Sequence, residues 1–246
     1  MAKPSKITFS NGLVAESIQL KAPTELASGL HQLGLNGRHP VLVLIGGASK
    51  LSEADFHRLQ KLFLEVLAPL AQKWQAVVID GGTDAGVMRL MGQARSAIDA
   101  SFPLVGVTPL GLATLPAKTA KAVEAAPLEP HHTHFILVPG SNWGDESSWI
   151  AKIASTISDA ASVTVLINGG EITWQDASQS VKADRSIIVI AGTGRTADII
   201  ANALYGASAD KRAEPIVASG LVRAIDLDAG ADTLPAIIED IFAAKS

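Results

Sequence analysis

Short apolar segments alternate with longer segments of helical periodicity along most of the chain. The apolar segments are rich in Val and Ile, which is typical of strands buried on both faces of a parallel sheet. They predict strands at 41–45, 76–79, 104–108, 135–138, 163–167, 187–190 and near 222–225. The amphipathic segments predict helices at 52–74, 86–98, 146–157, 173–183, 196–204 and 232–243. This alternation indicates an α/β fold with a doubly wound, mostly parallel sheet and helices on both faces.

Three regions depart from the alternation or modify it. The N-terminus predicts a β-hairpin in which 7–9 and 13–20 flank the turn dipeptide Asn11-Gly12, followed by a helix at 23–33. A long loop is predicted at 109–133. In the helix at 52–74, Ser52 is predicted to be the N-cap and Pro69 to bend or end the helix. We expect one domain over 1–246, with 1–36 as an N-terminal extension.

Composition supports this fold and narrows the function. Of the 246 residues 48% are apolar and 18% are charged, which suits a large core in one domain. The net charge of −4 with intermixed signs argues against nucleic-acid binding. The chain has no cysteine, which excludes disulfides and thiolate metal sites. No signal peptide or membrane-spanning segment is visible, so we expect a soluble, cytoplasmic protein without membrane insertion. Homo-oligomerisation through an apolar helix face is compatible with such a sheet.

Small residues follow four of the predicted strands. Glycine at a strand end lets the backbone approach a ligand, and the next helix N-terminus favours an anion such as phosphate. A single turn of this kind is more often only a turn, but four on one sheet edge favour a ligand site. The four runs are Gly46-Gly47-Ala48-Ser49, Gly81-Gly82-Thr83-Asp84-Ala85-Gly86, Asn168-Gly169-Gly170-Glu171 and Ala191-Gly192-Thr193-Gly194-Arg195.

None of these runs is by itself a specific phosphate motif. The run at 81–86 lacks the Gly-Lys-Ser/Thr of a P-loop, and 192–198 fits G-x-G-x-x-A but comes late in the chain. Arg195 stands where a helix should start, a place that disfavours a cation. Two interpretations remain open: an exposed Arg paired with Asp198, or a clamp for phosphate or carboxylate.

Other polar and aromatic residues lie near the same edge. Three histidines, His131, His132 and His134, stand close together in the sequence. His132 and His134 could face one metal ion, but no third ligand follows at a recognisable spacing. We therefore favour histidines that tether a loop by hydrogen bonds over a metal site, with a ligand contact from Thr133 or His134 as the alternative. Trp143 could stack on a base or cover the sheet end. No catalytic group is assignable by spacing, although four carboxylates are near the predicted rim: Asp84, Glu171, Asp176 and Asp198.

The ordered series of motifs resembles the SLOG superfamily. The series is GGAS, IDGGTDAGVM, VGVTPLG, HTHFILV, VLINGGE and IIVIAGTGRTADIIA. It is similar in particular to the N-terminal cytosolic domain of TRPM (melastatin-type) cation channels and to its stand-alone prokaryotic relatives of the LSDAT type, over about 40–204. The resemblance implies a Rossmann-like fold that binds or senses a nucleotide derivative such as ADP-ribose or a cyclic relative, with no cofactor required.

The same resemblance implies which residues contact the ligand. In channel relatives that bind ADP-ribose, an aromatic-Gly pair is followed by an arginine. Here Trp143-Gly144 fits the pair, but Ile150 and Lys152 stand where that arginine would be sought. By motif, the residues that would face the phosphates are Gly46, Gly47, Gly82, Thr83, Gly86, Gly169, Gly170, Gly194 and Arg195. Thr108 and Trp143 would contact the base or form a side wall. Ala48, Val87 and His134 complete the predicted ligand-binding set.

A more distant resemblance to Lonely Guy-type phosphoribohydrolases implies an alternative function. Those enzymes carry P-G-G-x-G-T-x-x-E, whose glutamate assists cleavage of an N-glycosidic bond. The matching stretch, 168–176, departs at the proline, at the third glycine (Ile172) and at the glutamate, where Asp176 stands. The alternative is therefore a nucleotide N-glycosidase using Asp176 or Glu171, whereas binding without turnover is favoured. A scaffold whose glycines only make turns is the third hypothesis.

Overall fold

The computed structural model describes residues 3–47, 52–116, 122–158, 161–207 and 210–244. Within these residues, nine strands form one sheet in the order β1-β2-β8-β5-β4-β3-β9-β10-β11, and two further strands pair beside it. The strands are β1 (Ser5–Thr8), β2 (Val14–Gln19), β3 (Val41–Gly46), β4 (Val77–Asp80), β5 (Leu104–Pro109), β6 (Ala113–Thr114), β7 (Ala126–Pro127), β8 (His134–Val138), β9 (Ser162–Ile167), β10 (Ser186–Ala191) and β11 (Val222–Asp226).

All neighbouring strands of the large sheet are parallel except the β1–β2 hairpin at its edge. Helices follow most of the strands, and a 3₁₀ turn at Pro23–Glu25 precedes the first of them. They are α1 (Leu26–Gln32), α2 (Glu53–Leu62), α3 (Ala68–Trp74), α4 (Gly86–Ala97), α5 (Ser147–Ser158), α6 (Glu171–Lys182), α7 (Arg195–Leu204), α8 (Ala213–Ala218) and α9 (Gly230–Ala243).

The helices cover both faces of the sheet, and β3 shows how one strand serves both. Val41, Val43 and Ile45 belong to the core formed with α1, α5, α6, α7 and α8. Leu42 and Leu44 belong to the core formed with α2, α3, α4 and α9. Because successive side chains of a strand point to opposite faces, an uninterrupted apolar run is what a strand between two helical layers requires.

The strand order reverses between β3 and β9. From β3 the chain proceeds through β4 and β5 to β8 on one side, and through β9 and β10 to β11 on the other. In a doubly wound sheet the helices diverge at such a point and leave a crevice beyond the carboxyl ends of the strands. Gly46 ends β3 with φ of +126°, and a Cβ atom there would lie 1.9 Å from the carbonyl oxygen of Ile167. Glycine is therefore required at the crevice to pack β3 against β9.

The fold confirms the predicted α/β class and the N-terminal hairpin, and the differences are local. Pro69 does not end the helix; it lies in the first turn of α3, directly after a turn whose backbone bonds span five residues. A π-helical turn, Phe63–Leu67, joins α2 to α3. Ser52 does cap α2, since its hydroxyl accepts from the Asp55 N–H at 3.1 Å. The helix α8 and the β6–β7 pair, within the predicted loop, were not predicted.

Candidate functional site

The turn after β4 is held by a buried chain of charged groups. Asp80 Oδ1 accepts from the Gly82 N–H at 2.7 Å and lies 2.8 Å from His132 Nε2. On the other side of the ring, His132 Nδ1 lies 2.8 Å from Glu129 Oε2. The side chains of these three residues are at most 1% exposed. Burial alone would lower the pKa of His132, but the charges and hydrogen bonds of Asp80 and Glu129 outweigh it and raise the pKa to about 9. The imidazolium thus donates to both carboxylates at neutral pH.

Contacts with the neighbouring strand β5 fix the same turn from behind. The Thr108 hydroxyl donates to the Gly81 carbonyl at 2.8 Å. Gly82 has φ of +71°, and a Cβ atom there would lie 2.7 Å from the Gly106 Cα. The Glu129 N–H also donates to the Gly82 carbonyl at 3.0 Å. The structure therefore places Thr108 and Gly82 on the packed side of the turn.

A cavity of about 330 Å³ opens at the carboxyl ends of β3 and β4, and we call it the acidic cavity. Its acidic residues are Glu124, Glu146 and Asp176, and no Lys, Arg or His is among its described lining residues. Thr83, Thr173 and the backbone of the glycine turns add polar groups. The apolar walls are Leu44, Ile45, Met88, Trp143, Ile150 and Ile172.

Asp176 is the most perturbed carboxyl group of the acidic cavity. Burial raises the pKa of Asp176, and the negative charge of Glu146 raises it further. The Ser147 hydroxyl lowers this pKa in part, although the two side chains do not form a regular hydrogen bond. The net result is a pKa of about 7. Its Oδ1 atom is buried and has no hydrogen-bond partner among the described residues. Asp176 therefore exists in both protonation states near neutral pH, as a proton donor or acceptor for a ligand would.

Glu146 is a second carboxyl group of this cavity, and the sequence did not single it out. It is 7% exposed, burial raises its pKa, and its Oε2 accepts from the Gly144 N–H at 2.8 Å. An acidic residue at the start of a helix is ordinary because it suits the helix dipole. Its position three residues after Trp143 was the signal that could have indicated a role in the site.

A second concavity, of about 340 Å³, lies beside the acidic cavity, and we call it the glycine cleft. The two share the lining residues Gly46, Ala85 and Met88, and the glycine cleft adds Gly47, Phe56, Gly86, Arg89 and Leu90. Gly86 is the first residue of α4, so a helix N-terminus lies at this cleft. The Arg89 guanidinium is exposed and bonds the Asp84 carboxylate at 2.6 Å through Nε. A helix N-terminus beside a guanidinium favours an anion, in contrast to the acidic cavity.

The turns after β9 and β10 are joined to each other. Asn168 Nδ2 donates to the Thr193 carbonyl at 2.6 Å, and the Thr196 hydroxyl donates to the Gly170 carbonyl at 3.1 Å. The Arg195 guanidinium lies beside the first of these turns, since a Cβ atom at Gly170 would be 3.0 Å from its Nη2 atom. The carboxylate of Asp198 accepts from the Gly192 N–H at 2.7 Å.

The predicted ligand-binding residues thus fall into distinct places. Five of them line the acidic cavity or the glycine cleft: Gly46, Gly47, Thr83, Gly86 and Trp143. The catalytic candidate Asp176 lines the acidic cavity. Around the N-termini of α6 and α7 are Gly169, Gly170, Gly194 and Arg195. Ala48 lies outside the described residues.

Val87, His134 and Glu171 likewise lie outside both concavities. Val87 is fully buried in the core beneath α4. His134 begins β8 and lies at the amino edge of the sheet, opposite the crevice, where burial lowers its pKa and Thr133 Oγ1 lies 2.8 Å from its Nδ1. Glu171 is exposed and forms an ion pair with Arg212. Among the described residues, no three His, Asp or Glu side chains are arranged to hold a metal ion.

Comparisons with known proteins match this arrangement to a family. The model of the family described as "SLOG in TRPM, prokaryote" matches residues 39–236. The chain is 26% identical over 204 residues to the transient receptor potential cation channel subfamily M member 2 of Mus musculus, and 26% identical over 198 residues to the subfamily M member-like 2 channel of Nematostella vectensis. These alignments cover 68% and 65% of this chain but 13% of each channel.

A solved structure supports the fold independently. The X-ray structure of TM1055, a structural-genomics target, superposes with a TM-score of 0.54 at 20% identity, and covers 82% of this chain and 99% of that protein. The similarity concerns the α/β architecture alone. None of the described helices combines the length and the apolar character needed to cross a bilayer.

Proposed function

This chain belongs to the family described as SLOG in TRPM, prokaryote, and we propose that it binds a nucleotide-derived, phosphate-bearing ligand of the ADP-ribose or cyclic-nucleotide type at the carboxyl ends of its parallel strands. The observation that carries the proposal is the pairing of two adjoining concavities of opposite character. One is apolar and acidic, and the other has a helix N-terminus and a guanidinium group.

The phosphates of such a ligand belong in the glycine cleft. Carboxylates repel phosphate, and no described cation lines the acidic cavity. The glycine cleft offers backbone N–H groups at the start of α4 together with Arg89. Arg195, beside Gly170 at the next pair of turns, supplies a second guanidinium that is exposed to solvent.

The base and ribose belong in the acidic cavity. Its volume of about 330 Å³ and that of the glycine cleft, about 340 Å³, each reach the lower range of small-molecule pockets. Trp143 provides an aromatic face, and Ile150 and Ile172 provide apolar surface. Both concavities share Gly46. A ligand that extends across Gly46 would have its base and ribose in the acidic cavity and its phosphates in the glycine cleft.

Thermal shift and calorimetry with ADP-ribose, AMP and cyclic dinucleotides test the proposal. A ligand at one hundred times its Kd should add about 2.7 kcal/mol of stability. Arg89→Ala and Arg195→Ala should each weaken binding about tenfold, because each removes a charge-assisted phosphate contact. Arg58→Ala is the matched control, since Arg58 is exposed and pairs with Asp228 outside both concavities. The absence of a shift with every nucleotide would contradict the proposal.

Cleavage of an N-glycosidic bond is the second candidate function, and the environment of Asp176 favours it. A carboxyl group with a pKa of about 7 can donate a proton to the departing base as the bond from C1′ breaks. An ionised Glu146 would stabilise the positive charge on the ribose until water adds to C1′. Glu171, exposed and paired with Arg212, is less suited to this role.

Incubation with nucleoside monophosphates tests this second function. Free base and ribose 5-phosphate should appear in equal amounts, and Asp176→Asn should abolish their release because the amide cannot donate an acidic proton. Release that survives in Asp176→Asn but is lost in Glu171→Gln would transfer the role to Glu171. No release from any nucleotide that binds would leave binding as the function.

A further inference from the structure

We propose that the acidic cavity accepts a positively charged heterocycle of a ribosylated ligand, such as a pyridinium ring, in preference to the neutral form of the same ring. The proposal rests on the proposed function, because it names the chemical class of the group that the acidic cavity would hold. It concerns charge at the ring and not the phosphates, which belong in the glycine cleft.

The first observation is an imbalance of charge. Glu146 is a buried carboxyl group, Asp176 is half-buried with a buried Oδ1 atom, and Glu124 is exposed at the rim, while no described Lys, Arg or His lines the cavity. Buried carboxylates normally have a cationic partner or enough hydrogen bonds to replace water. The Glu146 carboxylate accepts from the Gly144 N–H at 2.8 Å and is further stabilised by its own backbone N–H, whereas Asp176 Oδ1 has no partner among the described residues. A cation in the cavity would supply the missing partner.

The second observation is the shape and polarity of the walls. Trp143 contributes an indole side chain to the lining, and Met88, Ile150 and Ile172 are apolar side chains without hydrogen-bond donors. A compact ammonium group would lose hydration against these apolar walls and would be compensated only on the side of the polar groups. A flat aromatic cation keeps little water, stacks against apolar surface and is attracted to an indole face.

The protonation of Asp176 links this preference to pH. Burial, the Ser147 hydroxyl and the Glu146 charge together give Asp176 a pKa of about 7 in the free protein. A cation pairs with the ionised form, so its binding should release a proton and strengthen as pH rises through 7. A neutral ring has no charge to pair, and its affinity should change little over the same range.

NAD⁺ and NADH are suitable probes because their phosphates and sugars are identical and only the nicotinamide ring differs in charge. Calorimetry at about pH 8 should show NAD⁺ binding about tenfold or more tightly than NADH, which corresponds to one good contact between a carboxylate and a desolvated cation. At about pH 6 the preference should fall to about threefold or less, since Asp176 is then mostly protonated.

Isosteric variants assign the preference to these carboxyl groups. Asp176→Asn and Glu146→Gln should each reduce the ratio of NAD⁺ to NADH affinity by weakening the binding of NAD⁺. Glu65→Gln is the control, because Glu65 is an exposed carboxylate beside Lys61, away from the cavity. If a cavity variant fails to fold, the pH dependence of the unmodified protein decides the question.

The 1-methylnicotinamide cation and neutral nicotinamide separate this inference from the proposed function, because both lack ribose and phosphate. Preference for a cation in both probe pairs would support the inference. Binding of ADP-ribose with equal affinities for NAD⁺ and NADH at both pH values would overturn it and leave the proposed function standing. Preference for 1-methylnicotinamide over nicotinamide, without binding of ADP-ribose or either dinucleotide, would support the cation site and overturn the proposed function. No binding of any probe overturns both.

Discussion

Two single residues carry information about the site through their unusual states. Arg195 has φ of +56°, the left-handed region that side-chain-bearing residues seldom adopt, at the first position of α7. Asp176 has a carboxyl group that is partly protonated at neutral pH. Each state is unfavourable for folding, and such states tend to occur at binding and catalytic sites.

The backbone strain at Arg195 predicts a difference between two substitutions. Left-handed backbone costs about 1–2 kcal/mol for a residue with a Cβ atom, whereas glycine adopts it freely but loses more entropy on folding. Arg195→Gly should therefore be about 1 kcal/mol more stable than Arg195→Ala. Urea unfolding of both variants measures the difference, and both should lose phosphate affinity to the same extent. Equal stabilities would show that the strain is absent.

Burial of Asp176 predicts that its replacement stabilises the protein at neutral and alkaline pH. Its pKa is raised from 3.8 to about 7, so its contribution to stability is complete below pH 3.8 and is lost as pH rises through 7. Asp176→Asn should match the unmodified protein at low pH and exceed its free energy of unfolding at about pH 8 by on the order of 4 kcal/mol. Urea unfolding across this range checks it, with Glu65→Gln as the control. A difference independent of pH would refute the assignment.

At the scale of elements, the β4–α4 turn is positioned by residues that lie far apart in sequence. His132 and Asp80 are 52 positions apart, and their hydrogen bond connects the end of β4 to the approach to β8. The sequence interpretation of the histidines as hydrogen-bonding tethers agrees with this contact, but the carboxylates on each side were not identified. Asp80 lies one residue after the predicted strand and directly before the glycines, so the sequence pattern assigned it to the turn. In the structure it is the last residue of β4.

His132→Gln should destabilise the protein, because Asp80 and Glu129 would then be buried carboxylates without a cation between them. Removing one partner of such a buried pair costs about 3–5 kcal/mol. In the unmodified protein, the stability that His132 contributes is complete below pH 6.5 and is lost as pH rises through 9. This fall should be absent in His132→Gln and present in His31→Gln, a control at an exposed histidine of α1. Guanidinium unfolding between about pH 6 and 10 measures both effects.

At the scale of the whole molecule, the N-terminal hairpin completes the sheet beside β8. β2 pairs with β8 in parallel, and Ile18 and Leu20 are each 1% exposed within the core. The hairpin lies before residue 39, where the match to the family begins. It therefore protects an apolar edge that residues 39–236 would otherwise expose.

Deletion of residues 3–20 should destabilise the chain and cause self-association. Loss of Ile18 and Leu20 removes about 3 kcal/mol or more of apolar burial, and the backbone edge of β8 becomes available for strand pairing. Size-exclusion chromatography and thermal unfolding check this outcome. A deleted chain that keeps both the oligomeric state and the melting temperature of the full protein would contradict it.

Much of the architecture followed from local patterns. Strands and helices were predicted to within a few residues because apolar runs, amphipathic periodicity and turn residues act over short segments. The missed elements, α8 and the β6–β7 pair, are too short to show a period. The glycine runs indicated the functional edge, yet at Gly46 and Gly82 the need for glycine comes from packing against the next strand, which a turn pattern does not show.

By itself the sequence determined the doubly wound α/β class, the glycine-rich strand ends and the resemblance that led to the family. Only the tertiary structure placed the reversal of strand order between β3 and β9, since periodicity does not specify which strands become neighbours. It also decided that Asp176 and Glu146 line one cavity and that His132 lies between two carboxylates. The physical reason is that a pKa and a cavity depend on burial and on contacts between residues distant in sequence, and both exist only once the chain has folded.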